Sequence, residues 1–224
     1  MAGCAIVYQR AAQPAANLTL RRPRWEGPEK NAPTGAHYAE QVATASRLST
    51  SVLLTCAAIG VATGALSAGA GAISGPVSAA VPIIYGLVLG VHVLPGVIAQ
   101  ELLRRPWVAL ITHLVAALVA SAVVPLWIGR YIGTALLIGA LQEGIAALGR
   151  YRHWEAWRFF VCAIVFGAVI AVPIWFAADV SRFPVWGQIV YIALFIVGPV
   201  LWTAVGLAIG AALRRAGVAR VSRR

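Results

Sequence analysis

The residues able to do chemistry are few, and most stand inside long apolar runs. An ionisable side chain in hydrocarbon is costly, so each is a candidate functional group. His92, His113, Gln142 and Glu143 lie well within such runs. Gln100 and Glu101 close one, beside Arg104 and Arg105. Glu101 reads as a helix-end residue near water, able to pair with either arginine at helical spacing. His113 and Glu143 both fall roughly 8–10 Å from the same ends of neighbouring segments, at about 1.5 Å rise per residue. A His–Glu pair there would neutralise two expensive groups, so a buried structural pair or latch is expected. Two ligands do not make a metal site. Cys4, Cys56 and Cys162 form neither a disulfide framework nor a Cys-x-x-Cys pair. The sequence has no H-E-x-x-H, G-x-S-x-G or Walker A run. No catalytic residue, metal or cofactor is therefore expected.

A second group is aromatic and weakly polar. Tyr85 and His92 are seven apart, and Trp175 and Asp179 four apart, so each pair shares a helix face. Gln188, Tyr191, Phe195 and Trp202 fall on one stripe. Trp and Tyr at helix ends often anchor a protein at the membrane surface, a reading that suits Trp127, Tyr131 and Trp186. It accounts less well for an acid beside a polar stripe. The alternative is a pocket for a flat, polar heterocycle, neutral or cationic. Trp175, Tyr191, Trp186 and Tyr131 would stack on the ring. Asp179 would pair with an amino or cationic group. His92 or Tyr85 would add a hydrogen bond, and Gln188 is counted among the ligand-binding residues. Pro95, Pro173 and Pro199 interrupt the runs at mid-depth, where a freed carbonyl and a bend can shape a cavity.

The elements that must carry these residues follow from composition. Of 224 residues, 60% are hydrophobic and 11% charged. Soluble domains carry roughly 45–50% apolar and about 25% charged residues. The sequence therefore predicts an all-α, polytopic membrane protein. A spanning helix needs about 20 residues. Six segments qualify: 50–73, 78–103, 107–125, 131–149, 157–178 and 187–213. Turn signals separate them, including Ser74-Gly75-Pro76 and Arg104-Arg105-Pro106. The second and sixth are long enough to tilt or to end outside the hydrocarbon. Residues 1–48 form a basic tail that cannot bury enough apolar surface to fold alone, and 214–224 form a second basic tail.

Net charge is +11, from 18 Lys and Arg against 7 Asp and Glu. With six spans, only Arg130 and Arg182 fall on one side of the membrane, and the other sixteen basic residues fall on the opposite side. That split predicts both termini in the cytoplasm, in a multi-pass protein of the cell membrane. Topology accounts for the charge, and no nucleic-acid motif competes. The basic tail could also touch anionic lipid.

The first segment is rich in small residues. Ala58-x-x-x-Ala62 and Gly60-x-x-x-Gly64 overlap there, and Gly206-x-x-x-Gly210 repeats the pattern in the sixth. Small residues four apart let helices approach closely in lipid, either within the chain or against a separate subunit.

Several short motifs in register resemble the YkoE family. They are Pro82-Ile83-Ile84-Tyr85-Gly86, Arg104-Arg105-Pro106-Trp107-Val108-Ala109-Leu110, Leu114-Val115-Ala116-Ala117-Leu118-Val119, Gly139-Ala140-Leu141-Gln142, and the loop Arg150-Tyr151-Arg152-His153-Trp154. The likeness covers roughly residues 80–180. That family comprises substrate-binding S components of energy-coupling factor (ECF) vitamin transporters, associated with thiamine or hydroxymethylpyrimidine. The resemblance implies a six-helix subunit that captures a vitamin from outside. It would dock on a membrane T subunit driven by two cytoplasmic ATPases. Ala58 and Ala62 match the docking pattern, and the outer half would hold the ligand. The sequence departs from the family at His113, where Glu is common. It departs again at Gln142-Glu143-Gly144-Ile145-Ala146-Ala147, where the family has Gln-Gly-Leu-Gly-Ala-Glu. Two rival readings make different demands. A non-transporting scaffold needs a filled outer half, and a membrane enzyme needs a wet cavity around His113 and Glu143.

Overall fold

The computed structural model describes residues 49–218; the expected tail 1–48 and most of the basic C-terminal tail lie outside them. The described residues form helices and turns, with no strand among them. Helix α1 spans Thr50–Ala80, α2 Pro82–Leu103, α3 Val108–Val123, α4 Pro125–Leu148, α5 Ala156–Ala177 and α6 Val185–Arg215. All but α3 are long and apolar enough to cross a membrane. The third helix has 16 residues, hence about 24 Å of rise, against a hydrocarbon core of about 30 Å.

Two expectations about the first helices change. The turn expected at Ser74-Gly75-Pro76 is helix: α1 runs through Pro76 to Ala80. Ser74 Oγ donates to the Ala70 carbonyl at 2.8 Å, and Ser78 Oγ to the Gly75 carbonyl at 3.0 Å. The break comes at Val81, with φ −142° and ψ 70°, because the proline that follows disfavours the helical region for it. The second helix is not continuous either. It has 3-10 turns at Pro82–Ile84 and Gly90–Val93. Pro95 follows the second of these and supplies no N–H to the preceding turn. His92 sits in that tightened turn.

Small residues set which helices touch. Helix α1 lies along α3, α3 along α4, α2 along α6, and α5 along α6. A methyl on Gly60 would stand 2.7 Å from Val115 Cβ, and one on Gly64 would stand 2.7 Å from the Ala116 carbonyl. The Gly60-x-x-x-Gly64 face is thus used inside the chain, against α3. Gly206 and Gly210 likewise meet Val97 and Glu101 of α2. Ala58 and Ala62 are exposed on the other side of α1, in line with exposed Ala65 and Gly69.

Glu101 is buried rather than at a wet helix end. Its carboxylate pairs with Arg214 at the end of α6 and with Arg104 at 3.6 Å, and Arg214 Nη1 also donates to the Glu101 carbonyl at 3.1 Å. A cation at the C-terminal end of α2 complements the helix dipole.

Candidate functional site

A cavity of about 30 Å³ opens between α1, α2 and α4, at the end of the bundle away from the Arg104-Arg105 and Arg150–Arg158 loops. Ser74 of α1, Tyr85, Leu89 and His92 of α2, and Trp127, Arg130, Tyr131 and Thr134 of α4 line it. A smaller cavity continues inward past His92, Tyr131 and Thr134 to Ser67 and His113. The local sequence explains how α4 contributes. Trp127, Arg130, Tyr131 and Thr134 are spaced three, four and seven apart, so they share one face of its first two turns.

The side chains are held in a defined pattern. Arg130 Nη2 donates to Tyr85 Oη at 2.8 Å, which joins α4 to α2 across the cavity. The guanidinium lies over the Trp127 ring, 4.3 Å from its centroid. His92 meets Tyr131 edge to face at 6.1 Å. Tyr131 is 6% exposed, and its hydroxyl has no hydrogen-bond partner among the described residues. That hydroxyl points at Gly71 so closely that a Cβ there would collide with it. A buried hydroxyl without a partner costs about 1–3 kcal/mol.

Of the residues expected to bind a ligand, Tyr85, His92 and Tyr131 meet at this cavity. Trp175 and Tyr191 stand behind it. Trp175 packs on Tyr191 at 5.6 Å, Tyr191 on Phe195 at 4.4 Å, and Phe195 on Tyr85 at 6.2 Å. Tyr191 Oη donates to the Ala171 carbonyl at 2.9 Å, so it packs as core. The remaining three do not line the cavity. Asp179 is exposed and pairs with Arg182 at 2.6 Å. Trp186 is 65% exposed. Gln188 Nε2 donates to the carbonyls of Ser181 and Phe183, closing the α5–α6 turn. Sequence reasoning passed over Arg130, Ser74 and Thr134. The signal available for Arg130 was its place three residues after Trp127 on a side of the chain almost empty of basic residues.

The expected His113–Glu143 pair is also rearranged. His113 Nε2 meets Gln142 Oε1 at 3.0 Å, and Gln142 Nε2 donates to the Val93 carbonyl at 3.2 Å. The amide oxygen is then the acceptor, so the proton is on His113 Nε2. A Cβ on Gly96 would collide with this pair, so only glycine leaves room. Glu143 faces elsewhere. Its carboxylate accepts from the backbone N–H groups of Trp107 at 2.9 Å and Ala109 at 2.8 Å. It therefore caps α3 from another helix, where no side chain of α3's own first turn does so. Tyr151 Oη donates to the same carboxylate at 3.2 Å. Burial first, and the negative Glu143 second, push the Tyr151 phenol above its ordinary value, so it remains a donor. No cluster of three His, Cys, Asp or Glu suited to a metal ion occurs among the described residues.

The profile of a family described as "ABC-type cobalt transport system, permease component" matches residues 52–170. A solved structure described as "Crystal structure of an S-component of ECF transporter" superposes with a TM-score of 0.65 at 16% identity. The alignment covers 77% of this chain and 89% of that one. No curated protein sequence matches the chain. The family and the fold are those of transporter components rather than enzymes, in a multi-pass membrane protein.

Proposed function

Because the chain belongs to the family of ABC-type cobalt transport system permease components, we propose that it is the substrate-capture subunit of an ECF-type importer. The single observation that carries this reading is the cavity at the end poor in basic residues, where Tyr131 has a buried hydroxyl that no described residue completes. A scaffold would be filled there. We place this end outside, on the 16-to-2 split of basic residues. Helix α3 then completes six passes with both termini in the cytoplasm. The ligand we favour is hydroxymethylpyrimidine or thiamine, on the resemblance of the sequence to the YkoE family. The ring would lie against His92, Tyr131 and Tyr85, with Trp175 and Tyr191 as the wall behind.

The cavity has room for about two waters rather than for a vitamin. Arg130 spans its mouth and is itself exposed. Entry would release the Arg130–Tyr85 hydrogen bond and swing the arginine, a side-chain motion that leaves the helices in place. After capture, the exposed Ala58-x-x-x-Ala62 face would dock on a membrane T subunit carrying two ATPases. An apolar groove of about 720 Å³ next to it, between α1, α2 and α6, extends that face.

The family description names cobalt, and His92 and His113 border one cavity. Imidazole suits such an ion. We favour the organic ligand because the walls are aromatic. Tryptophan fluorescence tests the choice. Trp127 lies in the cavity wall under Arg130, so a ligand that moves Arg130 alters its emission. Saturable quenching by hydroxymethylpyrimidine or thiamine, and none by cobalt, is the expected result. A flat response to all three from folded protein would overturn the capture reading.

A further inference from the structure

Among the described residues, the outer cavity is lined by a positive group and by no negative one. Of these residues Arg130 is the single charged one in its wall, and Ser74, Tyr85, His92, Tyr131 and Thr134 supply the polar atoms. Asp179, the acid expected to face a cationic ring, is turned to the surface and neutralised by Arg182. The Arg130 guanidinium gives one N–H to Tyr85 Oη, and a guanidinium has five. It also lies over the Trp127 ring, 4.3 Å from the centroid. The same wall is the first two turns of α4, where the cap residues Val124 and Trp127 make no side-chain cap hydrogen bond. The positive end of that helix dipole adds to the arginine. Independently, the Tyr131 hydroxyl is nine-tenths buried, packed against Gly71 of the same cavity wall, and without a hydrogen-bond partner among the described residues.

From this arrangement we infer that the cavity takes a ring carrying an acceptor or anionic group, set between Arg130 and the Tyr131 hydroxyl. It selects against a permanent cation. The inference rests on the capture reading and narrows its ligand class. Thiamine carries a fixed positive charge, hydroxymethylpyrimidine is neutral, and its phosphate ester is an anion. The three order themselves by charge: the ester binds most tightly, the neutral ring next, and thiamine at least tenfold more weakly than the ester.

The test is a titration of the full-length protein with each of the three compounds, in the wild type and in Arg130→Gln and Arg130→Lys. Arg130 is exposed, so both variants should fold, and their melting temperatures check that. Arg130→Gln should weaken the ester at least tenfold and leave thiamine unchanged or slightly tighter; Arg130→Lys should recover part of the loss. Raising the salt concentration should weaken the ester in the wild type and not the neutral ring. Thiamine binding as tightly as the ester, or an equal loss for all three in Arg130→Gln, would sink the inference while leaving capture intact. No saturable signal from any of the three would remove capture of these ligands and the inference together.

Discussion

Tyr131 and Glu143 show two ways a polar residue can be held inside an apolar bundle. Glu143 is completed by the chain itself: two backbone N–H groups at the start of α3 and the Tyr151 hydroxyl take its oxygens. A carboxylate at a helix N-terminus is stabilised by the dipole. The sequence placed Glu143 among buried acids but could not show its partners. Backbone N–H groups carry no residue-type signal, so a His on the neighbouring segment looked the better match. Tyr131 is not completed among the described residues. Replacing it by Phe removes an unpaired buried hydroxyl. We expect Tyr131→Phe to melt at the same temperature as wild type or higher, by up to about 1 kcal/mol. Ligand affinity in the same variant should fall about fivefold or more. Thermal unfolding beside a fluorescence titration reads both. A variant that is less stable and binds normally would make Tyr131 a packing residue.

At the scale of elements, the small-residue motifs of α1 do two jobs on two faces. Gly60 and Gly64 admit α3, and Ala58 and Ala62 face outward. A side chain added at Gly64 must push back the Ala116 backbone and the Val119 side chain. Overpacking of this kind costs about 1–3 kcal/mol. Gly64→Val should therefore lower the melting temperature in detergent. Ala62→Val should leave it unchanged but weaken co-purification with the T subunit. The reverse pattern would mean that the inner and outer faces are exchanged. Both motifs were plain in the sequence as overlapping four-residue repeats. Their division was not, because Ala58-x-x-x-Ala62 and Gly60-x-x-x-Gly64 are offset by two residues. An offset of two turns the helix by about 200°, and only a neighbouring helix tells which face is inside. Helix breaks were partly legible for the same reason. Pro76 looked like a turn, but α1 runs through it, and the break fell at the next proline, where Val81 leaves the helical region.

At the scale of the molecule, the topology makes a prediction of its own. A cysteine placed at Arg182, in a protein freed of its native cysteines, should react from intact cells with a membrane-impermeant thiol reagent. One placed at Arg152 should react only after the membrane is opened. Equal labelling of both would overturn the orientation. The sequence by itself determined the class of the protein. Inside a bilayer backbone polar groups must be satisfied within each segment, so apolar runs of helix length fold there as spanning helices. It also determined which end is basic, since charge is counted along the chain. Only the tertiary structure decided which polar residues meet. Tyr85, His92 and Tyr131 converge with Arg130 because α1, α2 and α4 cross at one end. Asp179 and Trp186, equally promising in the sequence, end at the surface. A helix face is local and periodic. A cavity is the space left between three such faces, and its contents depend on rotations and depths that no single helix encodes.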